Sequence, residues 1–424
     1  MRSLLNKIPD EIRDISTLVV GNGLAIFIPV LVSPVISRMY SSGDFGVFTI
    51  YVAMISLVSS FATGRYDFAI LMAKTKHNAK QLYKVALGLA AIISLFVFIL
   101  VLLFEKTILS IFSVESMGWL VYLVPVNIFL YAAIHANQNG LNREKDYNAI
   151  SAGKTIRSVF VGGIQVGLGA IGYLGSGLIL GKISGDLFSS AYLTRRLNKI
   201  DQYLTSSYSV KRASYVMKKY EKFLKVNAPH AFVNALSLSV TPMIIGYFFN
   251  KDIVGFYGLS YMVCILPVQL VGSAFYQVFS QKISVMFNNG EGLYAYTIKT
   301  IKLLFGLSIV PFTVLTIFGP GLFSFVFGAE WVISGEYVQI LAPFLFLVFI
   351  LSPIIYIPLI YEEQNKSFYF EVTLFLSRVV ALSVGASYGN IYLALALFSG
   401  VSILVQSINL IWVVTLTKKY HPSE

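Results

Sequence analysis

The chain predicts an all-α polytopic membrane protein, with about twelve transmembrane helices arranged as two parallel six-helix repeats. Three observations predict it. Apolar stretches of about 20 residues, the length a helix needs to cross the hydrocarbon core, recur from Ile15 to Thr417. Hydrophobic residues make up 56% of the 424 and charged ones only 12%, and the mean hydropathy is +0.74. The second half also echoes the first.

In the first half the spacing predicts spans at 15–36, 45–64, 82–104, 118–138, 155–173 and 175–193. A charged stretch, Met1 to Ser16, leads into the first span. No small-residue cleavage site ends that span, so it reads as retained rather than as a removable signal. Asp44-Phe45-Gly46 opens the second span and Arg65-Tyr66-Asp67 ends it. Pro125 marks the fourth, Lys154 and Arg157 open the fifth, and Lys182 interrupts the sixth. The second half predicts spans at 226–249, 253–280, 298–318, 336–360, 367–387 and 389–416. The implied organisation is an N-terminal lobe over 1–200, a linker over 201–224 and a C-terminal lobe over 225–424.

The repeat rests on four matches in order. Asp44-Phe45-Gly46 matches Asp252 to Tyr257, Pro34 matches Pro242, and Pro125 matches Pro343. Asn142 to Tyr147 matches Glu363 to Phe368. Each half holds an even number of spans, so the halves are parallel, and such bundles place substrate between them.

Charge sets the expected orientation. The stretch Arg195 to Lys225 is dense in Lys and Arg, whereas only Arg38, Lys106 and Lys251 fall in the opposite loops. The positive-inside rule then puts both termini in the cytoplasm. The net charge of +12 becomes a rim facing anionic lipid, not a nucleic-acid footprint. The longest outer loops, about Glu105–Met117 and Gly319–Gly335, are too short to hold a domain. A single cysteine, Cys264, excludes an internal disulfide. The four histidines show no metal-ligand spacing. Neither a catalytic set nor a cofactor is expected.

Two segments are specific. The run from Pro34 through Arg38, Tyr40 and Asp44 to Gly46, followed by Gly64-Arg65-Tyr66-Asp67-Phe68-Ala69-Ile70, resembles the signature of Wzx-type polysaccharide-biosynthesis flippases. These belong to the MOP superfamily that also holds the MATE drug exporters. The resemblance covers the whole chain. Ser42 stands where the family often has proline, and Asp67 where it often has glutamate. The resemblance implies transport of an undecaprenyl-pyrophosphate-linked oligosaccharide from the cytoplasmic to the periplasmic leaflet of a bacterial inner membrane. It would serve O-antigen or related lipopolysaccharide and surface-polysaccharide synthesis, beside a polymerase and a chain-length regulator. The coupling ion, H+ or Na+, is left open.

Charges inside spans are costly and mark function by default. Arg378 lies midway along span eleven, with Glu371 two turns earlier, and reads as a cavity cation suited to phosphate. Lys182 shares a helical face with Asp186. It is either a cation attracting pyrophosphate or half of a neutralised packing pair. Arg157 is a phosphate contact at the cytoplasmic mouth and shares a face with Gln165, whereas Lys154, a turn shallower, fits simple anchoring. Polar stripes suit sugar hydroxyls: Asn127, Tyr131, His135 and Gln138; Asn227, His230 and Asn234; Gln269, Ser273, Gln277 and Ser280. Their alternative is interhelical hydrogen bonding. Arg65 and Asp67 read as a latch with Tyr66, and Arg38 with Asp44 as a gate or turn-stabilising bridge.

Gly175 to Ser184 imitates a nucleotide-binding loop, but Ser176 stands where the pattern needs glycine. Two other functions compete. A MATE-like exporter of small cations predicts an acidic cavity, against the intramembrane cations. A polytopic polymerase or ligase predicts a large outer loop.

Overall fold

The computed structural model describes residues 10–419, and among these the long elements are all helices. Six lie in the first half: Asp10–Met39 (α1), Ser42–Ala62 (α2), Lys76–Ile111 (α3), Leu123–Arg143 (α4), Tyr147–Ala170 (α5) and Leu174–Asp201 (α6). Six follow: Ala228–Phe248 (α7), Lys251–Asn288 (α8), Tyr294–Phe327 (α9), Val332–Ile354 (α10), Gln364–Ser387 (α11) and Ile391–Lys419 (α12). The chain forms two compact units, Met1–Ser239 and Val240–Glu424, which divide within α7. The expected charged leader before Asp10 lies outside the described residues.

Among the described residues nine helices are long and apolar enough to cross a membrane. Helices α5 and α6 fall short of this and pack on each other, with α1 against α5. This follows from their residues. Helices α5 and α6 carry Lys154, Arg157, Lys182 and Asp186, and a helix with charges at membrane depth turns them toward protein or water.

Several helices outrun their expected spans. Helix α3 continues through a kink at Phe104 (φ −124°) to Ile111, because Glu105 to Ile111 contains neither Gly nor Pro. Much of the expected loop Glu105–Met117 is therefore helix. Helix α9 likewise runs to Phe327, where Gly328 at φ +112° ends it. A single turn, Ala329–Trp331, then buries Trp331 edge-on against Phe256, with ring centroids 5.8 Å apart. Prolines stay within helices, as Pro311 and Pro320 do in α9. Neighbouring helices make this tolerable in membrane proteins.

Apolar helices gain little by leaving apolar lipid, so close packing and polar contacts hold such bundles. In the first unit a Cβ at Gly185 of α6 would stand 2.8 Å from the Arg157 carbonyl oxygen of α5. Glycine there lets the two backbones touch. In the second unit a Cβ at Gly335 of α10 would stand 2.5 Å from the Gly319 carbonyl oxygen of α9. Polar relays add to this. The Tyr83 hydroxyl donates to Asn137 Oδ1 (2.8 Å), and Asn137 Nδ2 donates to Thr194 Oγ1 (2.8 Å), joining α3, α4 and α6. Ser260 donates to the Ser334 carbonyl (2.7 Å) and Ser334 to that of Phe256 (3.0 Å), joining α8 and α10.

The connection after α6 is built rather than loose. Ser209 caps a helix, Val210–Lys219, that buries Ala213 and Val216. It is strapped to the first unit. Gln81 Nε2 donates to the Ser207 carbonyl (2.9 Å), Lys84 Nζ donates to that of Ser206, and Arg212 Nε donates to Asn78 Oδ1 (3.0 Å). Tyr203, just beyond α6, donates its hydroxyl to Glu144 Oε1 (3.0 Å). Its ionisation is pushed up by burial first and by the Glu144 charge second.

Candidate functional site

The first unit gathers the charges of α5 and α6 into one cluster. Asp186 is fully buried. Its Oδ2 accepts from Lys182 Nζ at 3.0 Å, and its Oδ1 accepts from Arg157 Nε across the interface with α5. The Lys182 pairing was readable from its i, i+4 spacing, and the Arg157 pairing was not. One carboxylate faces two cations, so the cluster keeps one net positive charge. Its members differ in access. The side chains of Lys182 and Asp186 are 11% and 0% exposed, whereas that of Arg157 is 33% exposed. Arg157 is thus the face the cluster shows.

Aromatic groups line this face. The Arg157 guanidinium carbon lies 5.8 Å from the centre of the Tyr131 ring, and that ring packs 4.6 Å from His135. His135 has Asp67, Arg157, Arg65 and Lys154 as its charged neighbours. Tyr51, absent from the sequence reading, has Asp186 as its charged neighbour. Among the described residues its buried hydroxyl has no hydrogen-bond partner. An apolar context on α2 hid it. Asn127, one turn from Tyr131, is fully buried, and neither amide atom is hydrogen-bonded among the described residues.

Other expected positions separate from this cluster. Gln165 is spent on packing: its Nε2 donates to the Leu178 carbonyl (3.0 Å), and its own carbonyl accepts from the Tyr40 hydroxyl (2.6 Å). Asn227, His230 and Asn234 are exposed along one stretch, and Gln269 is exposed on α8. Gln277 lies outside the described residues.

The segment around Arg65 and Asp67 is held through neighbouring residues. Thr63 Oγ1 donates to Asp67 Oδ1 (2.6 Å) and Asn139 Nδ2 to Oδ2 (3.4 Å), fixing the turn after α2 onto α4. Arg65 sits at φ +59° with its guanidinium 4.1 Å from the centre of the Phe68 ring. The Tyr66 hydroxyl donates to the Met217 carbonyl of the strap helix (3.2 Å). At the other end of α2, Asp44 closes a capping box: Ser41 N donates to its Oδ2 (3.0 Å), and Asp44 N donates to Ser41 Oγ (3.2 Å). Arg38 occupies the last turn of α1.

In the second unit Arg378 is 6% exposed. Its Nε donates to Ser402 Oγ of α12 (2.8 Å). Its guanidinium lies 5.0 Å from the centre of the Phe398 ring and 5.2 Å from that of Phe344. Arg157 and Arg378 are as far apart in sequence as Lys145 and Lys366, so they are counterparts in the repeat. Each lies on the fifth helix of its unit. Each meets an aromatic ring from the fourth and a polar side chain from the sixth.

Comparison with known proteins fits this architecture. A solved structure titled lipid II flippase MurJ, in an inward closed conformation, is similar with a TM-score of 0.74 and 12% identity, over 95% of this chain and 90% of that one. An inward-facing multidrug-resistance MATE transporter of the MOP superfamily is similar at 0.65 and 15% identity, over 95% and 96%. So is a MOP-superfamily transporter from Pyrococcus furiosus, its title citing a binding pocket of reversed polarity, at 0.62 and 15%, over 96% of each chain. At such identities the likeness establishes the fold. A search of curated proteins found no match. The model of the family described as polysaccharide biosynthesis protein matches residues 35–336. This helical, multi-pass membrane chain belongs to that polysaccharide biosynthesis protein family.

Proposed function

We infer that this protein is a flippase for an undecaprenyl-pyrophosphate-linked oligosaccharide. It moves the saccharide from the cytoplasmic to the periplasmic leaflet of a bacterial inner membrane by alternating access, for O-antigen or a related surface polysaccharide. The observation that carries this reading is the Arg157–Asp186–Lys182 cluster. It keeps one net positive charge at membrane depth and exposes a guanidinium, the group best matched to phosphate oxygens. Family membership supplies the polysaccharide context, and the similar fold titled as a lipid II flippase supplies a precedent for a lipid-linked saccharide.

In this reading Arg157 meets the pyrophosphate, with Lys154 near the cytoplasmic mouth. Tyr131, His135 and the exposed amides Asn227 and Asn234 meet sugar hydroxyls, and the polyprenyl tail stays in lipid. Exposed polar residues on spanning helices need water or substrate beside them, which a cavity provides. A polymerase and a chain-length regulator are the partners, and both termini are cytoplasmic.

A MATE-like exporter of small cations shares the fold. The net positive cluster favours an anionic headgroup over a cation. Deletion of the gene tests the reading. It should strand lipid-linked oligosaccharide in the cytoplasmic leaflet, with expression of the intact protein clearing it. Unchanged leaflet distribution together with raised sensitivity to cationic drugs would favour the exporter.

A further inference from the structure

The strap helix Val210–Lys219 carries more than a connection requires. Ala213 and Val216 face the first unit. The other side presents Lys211, Lys218 and Lys219, all exposed. The helix contains no acidic residue. Among the described residues no carboxylate forms a salt bridge with those three cations. Asp201 pairs with Lys80 at 2.9 Å and Glu221 with Lys225 at 2.7 Å.

Apolar groups are interleaved with the charge. Tyr215 is 50% exposed, with the Arg212 guanidinium 5.2 Å and Lys219 Nζ 5.7 Å from its ring centre. Val210 is 74% exposed. The strap also leans on apolar surface. The Tyr220 hydroxyl donates to the Met72 carbonyl (3.2 Å), and Met72, Leu71 and Phe68 of the short helix Tyr66–Met72 are themselves exposed. Exposed apolar side chains at the end of a spanning bundle belong at the acyl boundary. Cations beside them on flexible stems belong among headgroups.

We propose that this face of the strap is a docking surface for anionic phospholipid headgroups. Phosphodiester oxygens meet Lys211, Lys218 and Lys219, while Val210 and Tyr215 reach the acyl boundary. Charge complementarity names the occupant, and the interleaved apolar tips separate it from an acidic soluble protein, which would offer them no hydrocarbon. Juxtamembrane basic clusters attract such lipids, and salt screens the attraction. The dock is distinct from substrate transport, since it uses neither Arg157 nor the polar stripes.

The test uses full-length protein labelled with a polarity-sensitive fluorophore at Ser214→Cys. Residue 214 is exposed, and the native Cys264 is buried. The protein is placed in nanodiscs of phosphatidylcholine alone, or with an equal part of phosphatidylglycerol. Nanodiscs expose both membrane faces, so the result does not depend on the orientation or substrate inferred above. The expected result is a blue shift, with quenching by brominated lipid tails, only when phosphatidylglycerol is present. Salt at about 1 M, where the screening length falls to about 3 Å, should abolish it. So should the triple change Lys211→Gln, Lys218→Gln and Lys219→Gln. If that variant does not fold, the salt titration decides alone. Identical emission in both lipids, as an acidic soluble partner would give, overturns the proposal, as does a shift that survives both salt and the triple change.

Discussion

Arg157 of α5 donates through Nε to the carboxylate of Asp186 of α6, a bond between residues 29 apart in sequence. It changes how Lys182 must be understood. As half of an isolated pair, Lys182 could not be removed without stranding a buried carboxylate. With Arg157 present, Asp186 remains balanced when Lys182 is lost.

The two ends of the cluster should therefore respond differently. Asp186→Ala leaves two cations together at membrane depth and should cost about 3–5 kcal/mol, seen as loss of folded protein. Lys182→Met leaves a neutral Arg157–Asp186 pair and should keep abundance near normal. Fluorescence-detected size exclusion measures both. Equal losses from the two changes would contradict the shared-acid arrangement.

Arg378 is held by shape as well as charge. Arg378→Lys keeps the charge but gives up the guanidinium's contacts with the Phe344 and Phe398 rings, each contributing about 0.5–2 kcal/mol. The melting temperature should fall for Arg378→Lys and by less for Phe398→Leu. The double variant should lose less than the sum, because both changes remove one contact. Strict additivity would mean the contact between Arg378 and Phe398 contributes nothing.

Tyr66 ties the strap to the first unit through the Met217 carbonyl. Tyr66→Phe deletes that hydrogen bond at a cost of about 1 kcal/mol. Hydrogen exchange across Val210–Lys219 should quicken by roughly fivefold, the factor such a cost implies. Exchange in α9 should not change. A uniform rise across both units would point to global destabilisation instead.

Orientation is open to direct assay. Reporter fusions after Ser207 should read cytoplasmic, and those near Gly328 periplasmic, following the charge asymmetry. The reverse pattern would invert the topology and place the strap outside.

The spans were legible because an apolar run of about 20 residues has few other uses. Even α5 and α6 were found, despite charges that depress their hydropathy. Helix ends were less legible. Glu105-Lys106 and Gly319-Pro320-Gly321 mark loops in the sequence, yet α3 and α9 run on through them, because a helix can continue past the bilayer surface. The strap helix was hidden in a basic linker, although Ser209 as a cap and the spacing of Ala213 and Val216 were its signals. In the site, Lys182–Asp186 was visible from helical spacing. Arg157–Asp186 was not, because spacing cannot say which helix is the neighbour. Gln165 shows the same limit: a polar residue on a stripe faces either a cavity or another helix, and here Leu178 takes its amide. Tyr51 left no polar pattern to follow, since its neighbours on α2 are apolar.

The central claim is that a lipid-linked saccharide crosses the membrane on this protein and that Arg157 contacts its pyrophosphate. Translocation by the purified protein in proteoliposomes tests it most directly, with polyprenyl-pyrophosphate-linked oligosaccharide loaded on one leaflet and its arrival on the other read by an impermeant glycosidase. The expected result is protein-dependent flux that inorganic pyrophosphate inhibits and that Arg157→Gln reduces at least tenfold, about 1.4 kcal/mol of lost phosphate interaction. Flux no greater than in protein-free vesicles, from protein shown to be folded, would contradict the account.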